Sequence, residues 1–90
     1  MQSKKECWVC HTQAGLERHH PVFGSRRKLC VADGLSVWLC AEHHRGTKGV
    51  HGRDGHEVDI ALKQAAERAW MRTYEKTVAD WVKRYGKNYL

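Results

Sequence analysis

Two pairs of metal-type donors at matching spacing constrain this chain more than any other feature. Cys7-Trp8-Val9-Cys10 is a C-x2-C knuckle, and Cys40-Ala41-Glu42-His43 repeats the spacing as C-x2-H. Three cysteines and one histidine can close a tetrahedral zinc site once the fold brings the two halves together. The constraint bites because the chain has only 90 residues. One small domain of that size stabilises itself poorly by core burial alone and commonly adds a metal or disulfides. Met1 to Glu6 is polar and lacks an apolar h-region, so no secretion signal is expected, and an unexported chain keeps its thiols reduced. Ordinary buried cysteines are the plain alternative, but they leave the repeated spacing unexplained. Cys30 has no partner at that spacing. An all-cysteine site with Cys30 in place of His43 stays open, and packing is the simpler role for it.

The rest of the composition sets limits on function. With 41% hydrophobic and 29% charged residues and a mean hydropathy of −0.71, the chain reads as a soluble globular domain. No apolar run approaches the ~20 residues of a membrane span. Sixteen Lys and Arg against ten Asp and Glu give +6. Arg18, Arg26, Arg27, Lys28, Arg45 and Lys48 all fall in one stretch, and His19, His20, His43, His44 and His51 lie in it or just past it. A basic segment crossed by histidines suits a phosphodiester polymer, because each cation that meets a phosphate releases a counterion. A merely solvated basic face is the alternative that charge alone does not remove.

Periodicity places these residues on elements. Gly15 to His20 reads as a short strand ended by Pro21, and Gly24-Ser25 opens a basic loop through Arg26-Arg27-Lys28. Gly34 to Cys40 is the second strand, rich in β-formers. Ala41 to Arg45 is a short helical turn stopped by Gly46, and glycine-rich loop follows to Gly55. A helix is expected from about Glu57 to about Tyr74, with Leu62, Ala66, Trp70 and Tyr74 as its buried row. A shorter helix follows, opened by a Thr77/Asp80 capping box and closed by Gly86. Its apolar stripe is Val78, Trp81, Val82 and Tyr85. The aromatics of both helices read as core rather than as a base-stacking platform.

Adjacent strand residues point to opposite faces, so His19 and His20 cannot both chelate one ion in the usual way. The geometry divides their roles: one imidazole can ligate a metal while the other, unligated and titrating near neutrality, can take a proton from water. A divalent ion beside it can neutralise charge on a scissile phosphate. His44 directly follows the proposed zinc ligand His43, so the knuckle that fixes one also positions the other. His51, in the glycine-rich loop, stands between a further ligand of that ion and a surface residue. His11 and His56 read as surface residues.

The pattern C-x2-C, then Glu17-Arg18-His19-His20-Pro21, a strand, and Leu39-Cys40-x2-His43-His44-Arg45-Gly46 resembles the HNH endonucleases, the His-Me finger nucleases with a ββα-metal fold. It spans roughly Cys7 to His51, and the whole chain is similar to small prophage-encoded proteins of HNH type. The resemblance implies His20 as general base, His19 and His44 (with His51 beside them) as ligands of a catalytic Mg²⁺, Mn²⁺ or Ni²⁺, and Zn²⁺ at the knuckle. It also implies DNA as partner, branched or single-stranded forms included, contacted by Arg18, Arg26, Arg27, Lys28, Arg45 and Lys48. A cytoplasmic setting in a bacterial or phage-infected cell goes with it. The family's middle Asn has no counterpart, since the only Asn is Asn88; Asp33, Ser36 or a backbone carbonyl near the second strand is expected to orient the base instead.

The expectation is therefore an α+β chain of one HNH-type domain over 1–90. Residues 7–51 form the zinc knuckle and ββα-metal core, and 55–90 form a C-terminal helical hairpin that braces it. The expected activity is metal-dependent hydrolysis of DNA, nicking or structure-directed with low sequence specificity, by a monomer or homodimer. The alternative is a zinc-binding nucleic-acid or protein adaptor with weak or no catalysis.

Overall fold

The computed structural model describes all 90 residues. Strand β1 (Leu16–His19) pairs antiparallel with β2 (Val37–Cys40), Leu16 opposite Cys40 and His19 opposite Val37. Both strands are short because glycine, proline or a helix start bounds them. Cys40 is extended at φ −70° and ψ 162° and leads straight into α2 (Ala41–Arg45). The N-terminal knuckle lies along β2. Cys7 forms one parallel bridge to Trp38, Trp8 N donates to Trp38 O (2.8 Å), and Trp38 N donates to Gln2 Oε1 (2.8 Å). The chain reverses just past the knuckle at His11, which adopts the left-handed φ of 65°.

The expected basic loop at Arg26-Arg27-Lys28 is instead helical. A single 3-10 turn (Gly24–Arg26) runs into α1 (Arg27–Ala32). This helix has no side-chain N-cap and no acid in its first turn, and three cations at its start oppose the helix dipole. Packing holds it: Cys30 is fully buried with Val22, Leu35, Trp70, Trp81 and Tyr85, and Leu29 packs against the same cluster. The packing role expected of Cys30 matches this placement.

Helix α3 (His56–Tyr74) and helix α4 (Val78–Tyr85) form the C-terminal hairpin. Thr77 caps α4, with Asp80 completing the capping box, and Gly86 closes it at φ 87°. Trp81 stacks on Tyr85 with centroids 4.0 Å apart, and Trp70 meets Trp81 edge-on at 5.6 Å. Leu62, Ala66 and Trp70 are buried as expected, but Tyr74, Val78 and Val82 are exposed, because no further layer covers that side of the hairpin. Glu67 is an unexpected core residue with no exposure; its Oε1 accepts from Tyr89 N at 2.8 Å, while Gln64 Nε2 donates to Tyr89 O at 2.9 Å. The C-terminal residues are thereby held across α3.

A polar latch joins the two parts of the chain. Arg84 donates from Nε (2.6 Å) and Nη2 (2.8 Å) to the Asp33 carboxylate at the end of α1, and Tyr85 Oη donates to it at 2.6 Å. Burial works against ionised Asp33, but Arg84 and Tyr85 outweigh it and hold the carboxyl below its ordinary value. A second buried cluster (Cys7, Val37, Leu39, Val50, Leu62) seats α3 under the sheet. One two-stranded antiparallel sheet and four helices make the chain α+β. No helix is long and apolar enough to cross a membrane.

Two candidate metal sites and the adjoining cleft

Cys7, Cys10, Cys40 and His43 come together, their donor atoms all within 4.8 Å of one another. Cys10 Sγ lies 3.8 Å from Cys40 Sγ, and His43 Nδ1 lies 3.7 Å from Cys7 Sγ and 3.1 Å from Cys40 Sγ. Zn–S bonds of about 2.3 Å in a tetrahedron place sulfurs about 3.8 Å apart, so the sulfur spacing suits such an ion. No disulfide joins them; all four cysteines are free thiols. Burial would raise the Cys7 thiol, but hydrogen bonds from the backbone of Cys10, Cys40 and Val9 overcome it and lower the pKa to about 6. Such a sulfur is held ready as thiolate, the form a metal takes. Cys10 is favoured as thiolate by the backbone of Thr12, yet burial and two neighbouring thiols leave it raised. The donor set fits a metal such as zinc. Cys30 sits in the other core cluster, away from this set.

Three imidazoles from three segments converge at a second place. His19 ends β1, His44 lies on α2, and His51 lies in the loop beyond; their ligand atoms are within 4.8 Å and their ring centroids 4.9–5.2 Å apart. The loop reaches this position by hydrogen-bonding back onto α2, Val50 N to His43 O and His51 N to His44 O, both at 3.0 Å. Buried Val50 anchors it. Gly52 permits the close return, since a Cβ there would overlap the carbonyl oxygens of Gly46 and Thr47. His19 is 3% exposed and its Nε2 is buried without a partner. Burial, then the neighbouring His44, His51, His20 and Lys63, lower its pKa to about 3. A neutral imidazole with an orphaned nitrogen facing two others fits a cation far better than it fits a core. His51 is lowered as well, by burial and His44, with Asp59 opposing.

Glu17 is the residue that sequence reasoning passed over as a participant. Its Oε1 lies 2.8 Å from His44 Nδ1, and Arg45 grips the same carboxylate at 3.0 and 2.6 Å. His44 and then Arg45 hold the Glu17 carboxyl below the ordinary range. An imidazole that donates Nδ1–H to a carboxylate is left with Nε2 as its free donor for a metal. The signal was in the sequence: Glu17 and His19, two apart on a strand, share a face.

The cleft beside the three histidines holds about 270 Å³ and is lined by Arg18, His19, His20, Phe23, Arg27, His44 and His51. His20 lies just past β1, outside the triple-histidine cluster but on the cleft wall. Burial, then Arg27 and Arg18, lower its pKa. Arg18 donates to Ser36 Oγ and lies over Trp38, 4.4 Å from the ring centroid. Of the six basic residues expected at DNA, only Arg18 and Arg27 line the cleft. Arg45 is bound to Glu17, Arg26 donates to Arg84 O at 3.2 Å, and Lys28 and Lys48 are exposed away from the cleft lining. The substitutes expected for the missing Asn do not serve as such. Asp33 is taken by Arg84 and Tyr85, Ser36 by Arg18, and His20 makes no hydrogen bond. His11 and His56 are exposed, as expected. No protein-family model, curated protein or solved structure matches the chain.

Proposed function

We propose that this chain is a metal-dependent endonuclease of the HNH, ββα-metal kind, hydrolysing DNA phosphodiester bonds. The observation that carries the reading is that His19, whose Nε2 is buried and unpartnered, meets His44 and His51 at the edge of a cleft that His20, Arg18 and Arg27 also line. Zinc at Cys7, Cys10, Cys40 and His43 is structural in this reading and fixes α2, hence His44. A divalent ion held by His19, His44 and His51 would neutralise charge on the scissile phosphate and the departing 3′-oxygen.

The side chains divide the remaining work. His20, kept neutral by burial and by Arg27 and Arg18, removes a proton from the water that attacks phosphorus in line. The guanidinium groups of Arg27 and Arg18 bind non-bridging phosphate oxygens, Arg18 already oriented by Ser36 and Trp38. Glu17 holds the His44 ring through Nδ1. A single site cuts one strand, so nicking is the expected product, and few groups reach base edges, so sequence preference is low.

Supercoiled plasmid incubated with Mg²⁺, Mn²⁺ or Ni²⁺ tests the reading. Conversion to open circles by the parent, lost in His20→Ala, is expected. No conversion with any of the three ions refutes the enzyme, and equal conversion by His20→Ala refutes the base assignment. One observation favours a second reading, a zinc-bearing adaptor that binds without cutting: His20 has no hydrogen-bond partner to orient it.

A further inference from the structure

Phe23 is the only apolar side chain in the cleft lining, and it is 40% exposed. Its sequence position gives it no obvious task, since it stands outside both apolar clusters. The ring is nonetheless held by its neighbours. Its centroid lies 5.1 Å from His51 and 5.9 Å from His19, and Lys63 Nζ sits 4.5 Å from it. Lys63 is itself held by Asp59 at 2.7 Å. An aromatic side chain left open to solvent in a cleft that two arginines also line, and buttressed by two of the proposed ion ligands, is costly as packing and useful as a platform.

The cleft volume narrows what the platform can meet. About 270 Å³ falls just below the ~300–1,000 Å³ of pockets that enclose a whole small ligand. That size suits a phosphodiester and part of one neighbouring nucleoside better than a stacked base pair. Arginine for the backbone and an aromatic ring for the adjacent base is the combination by which proteins hold single-stranded nucleic acid without reading its sequence.

Resting on the nuclease reading of the same cleft, we propose that Phe23 stacks on the base next to the phosphate held by Arg18 and Arg27, making unpaired DNA the preferred ligand over blunt duplex. The base must leave its own stack to reach the ring, and that step is cheapest where the strand is already unpaired. Duplex DNA is then met through phosphates alone.

The test is binding by fluorescence anisotropy to a short labelled single strand and to a blunt hairpin of the same composition. The protein is the full chain carrying His20→Ala, so that nothing is cut, and Phe23→Leu and Phe23→Trp are made in that background. Tighter binding to the single strand is expected, with Phe23→Leu weakening it roughly 5- to 150-fold, the range of one base–aromatic stack. Hairpin affinity should stay unchanged, and Phe23→Trp should retain single-strand binding. Equal affinity of the parent for both DNAs, or single-strand binding untouched by Phe23→Leu, overturns the proposal. Should Phe23→Leu not fold, the parent's preference and the Phe23→Trp result decide it. Plasmid nicking by the protein with His20 intact is scored separately. Nicking without any Phe23 effect leaves the nuclease standing and removes the stacking, whereas the Phe23 effect without nicking does the reverse.

Discussion

Replacing Asp33 by alanine separates a structural latch from a catalytic role. The carboxylate accepts two bonds from Arg84 and one from Tyr85, all between 2.6 and 2.8 Å. Its side chain is 11% exposed and that of Arg84 35%. Removing one partner of a buried pair costs about 3–5 kcal/mol, and the partial exposure of Arg84 lets water recover some of that. The buried Tyr85 hydroxyl also loses its acceptor, at about 1–3 kcal/mol. Because these losses overlap, Asp33→Ala is expected to cost about 3 kcal/mol, which lowers the melting temperature of a domain this size by roughly 12–24 °C. Thermal unfolding followed by circular dichroism measures it. The sign with pH follows from the depressed folded-state value of Asp33. The contribution is present above the unfolded carboxyl value and is lost as pH falls through the folded one, so parent and variant should converge in acid. If Asp33 instead oriented His20 in place of an Asn, Asp33→Ala would abolish nicking while leaving the melting temperature within about 2 °C of the parent's. That result would refute the latch.

Three further outcomes follow from the site geometry. Glu17→Ala frees the His44 ring and is expected to weaken Mn²⁺ binding about 10- to 100-fold by titration calorimetry; unchanged affinity would show that the carboxylate does not support His44. Gly52→Ala forces the loop off α2, so His51 should leave the cluster, and Mn²⁺ affinity should fall while the cysteine site keeps its metal. Burial, then Arg27 and Arg18, lower His20, so the rise of nicking rate with pH should have its midpoint below the ordinary histidine value of about 6.5. Arg27→Ala should move that midpoint upward, and a downward or absent shift contradicts the assigned base.

The sequence revealed most where local chemistry and tertiary need agreed. Gly46 after Arg45, the Thr77/Asp80 box and Gly86 mark helix ends whatever surrounds them, and α2 and α4 fall where those residues put them. Helix α1 was hidden because its signals oppose a helix: Arg26, Arg27 and Lys28 crowd its N-terminus and no cap opens it. Tertiary contacts stabilise it, chiefly the burial of Cys30 with Leu29 packed beside it and the Asp33 latch, formed with residues some fifty positions away. Tyr74, Val78 and Val82 continue apolar rows in sequence, but periodicity does not say where the opposing layer ends. At the site, the knuckle was legible from spacing. The place of His51 depended on backbone bonds from the loop to α2, and the setting of Phe23 on contacts with His51 and Lys63 far along the sequence, neither of which leaves a periodic trace.

The central claim is that the histidines and cysteines form two sites, one structural and one chemical. Metal content per chain by plasma mass spectrometry, after dialysis against metal-free buffer and then after re-equilibration with Mn²⁺, tests it most directly. The account expects one retained zinc, lost in Cys40→Ser and kept in His44→Ala, and one added manganese, lost in His44→Ala. Absence of retained zinc from the parent, or loss of that zinc in His44→Ala, would contradict it.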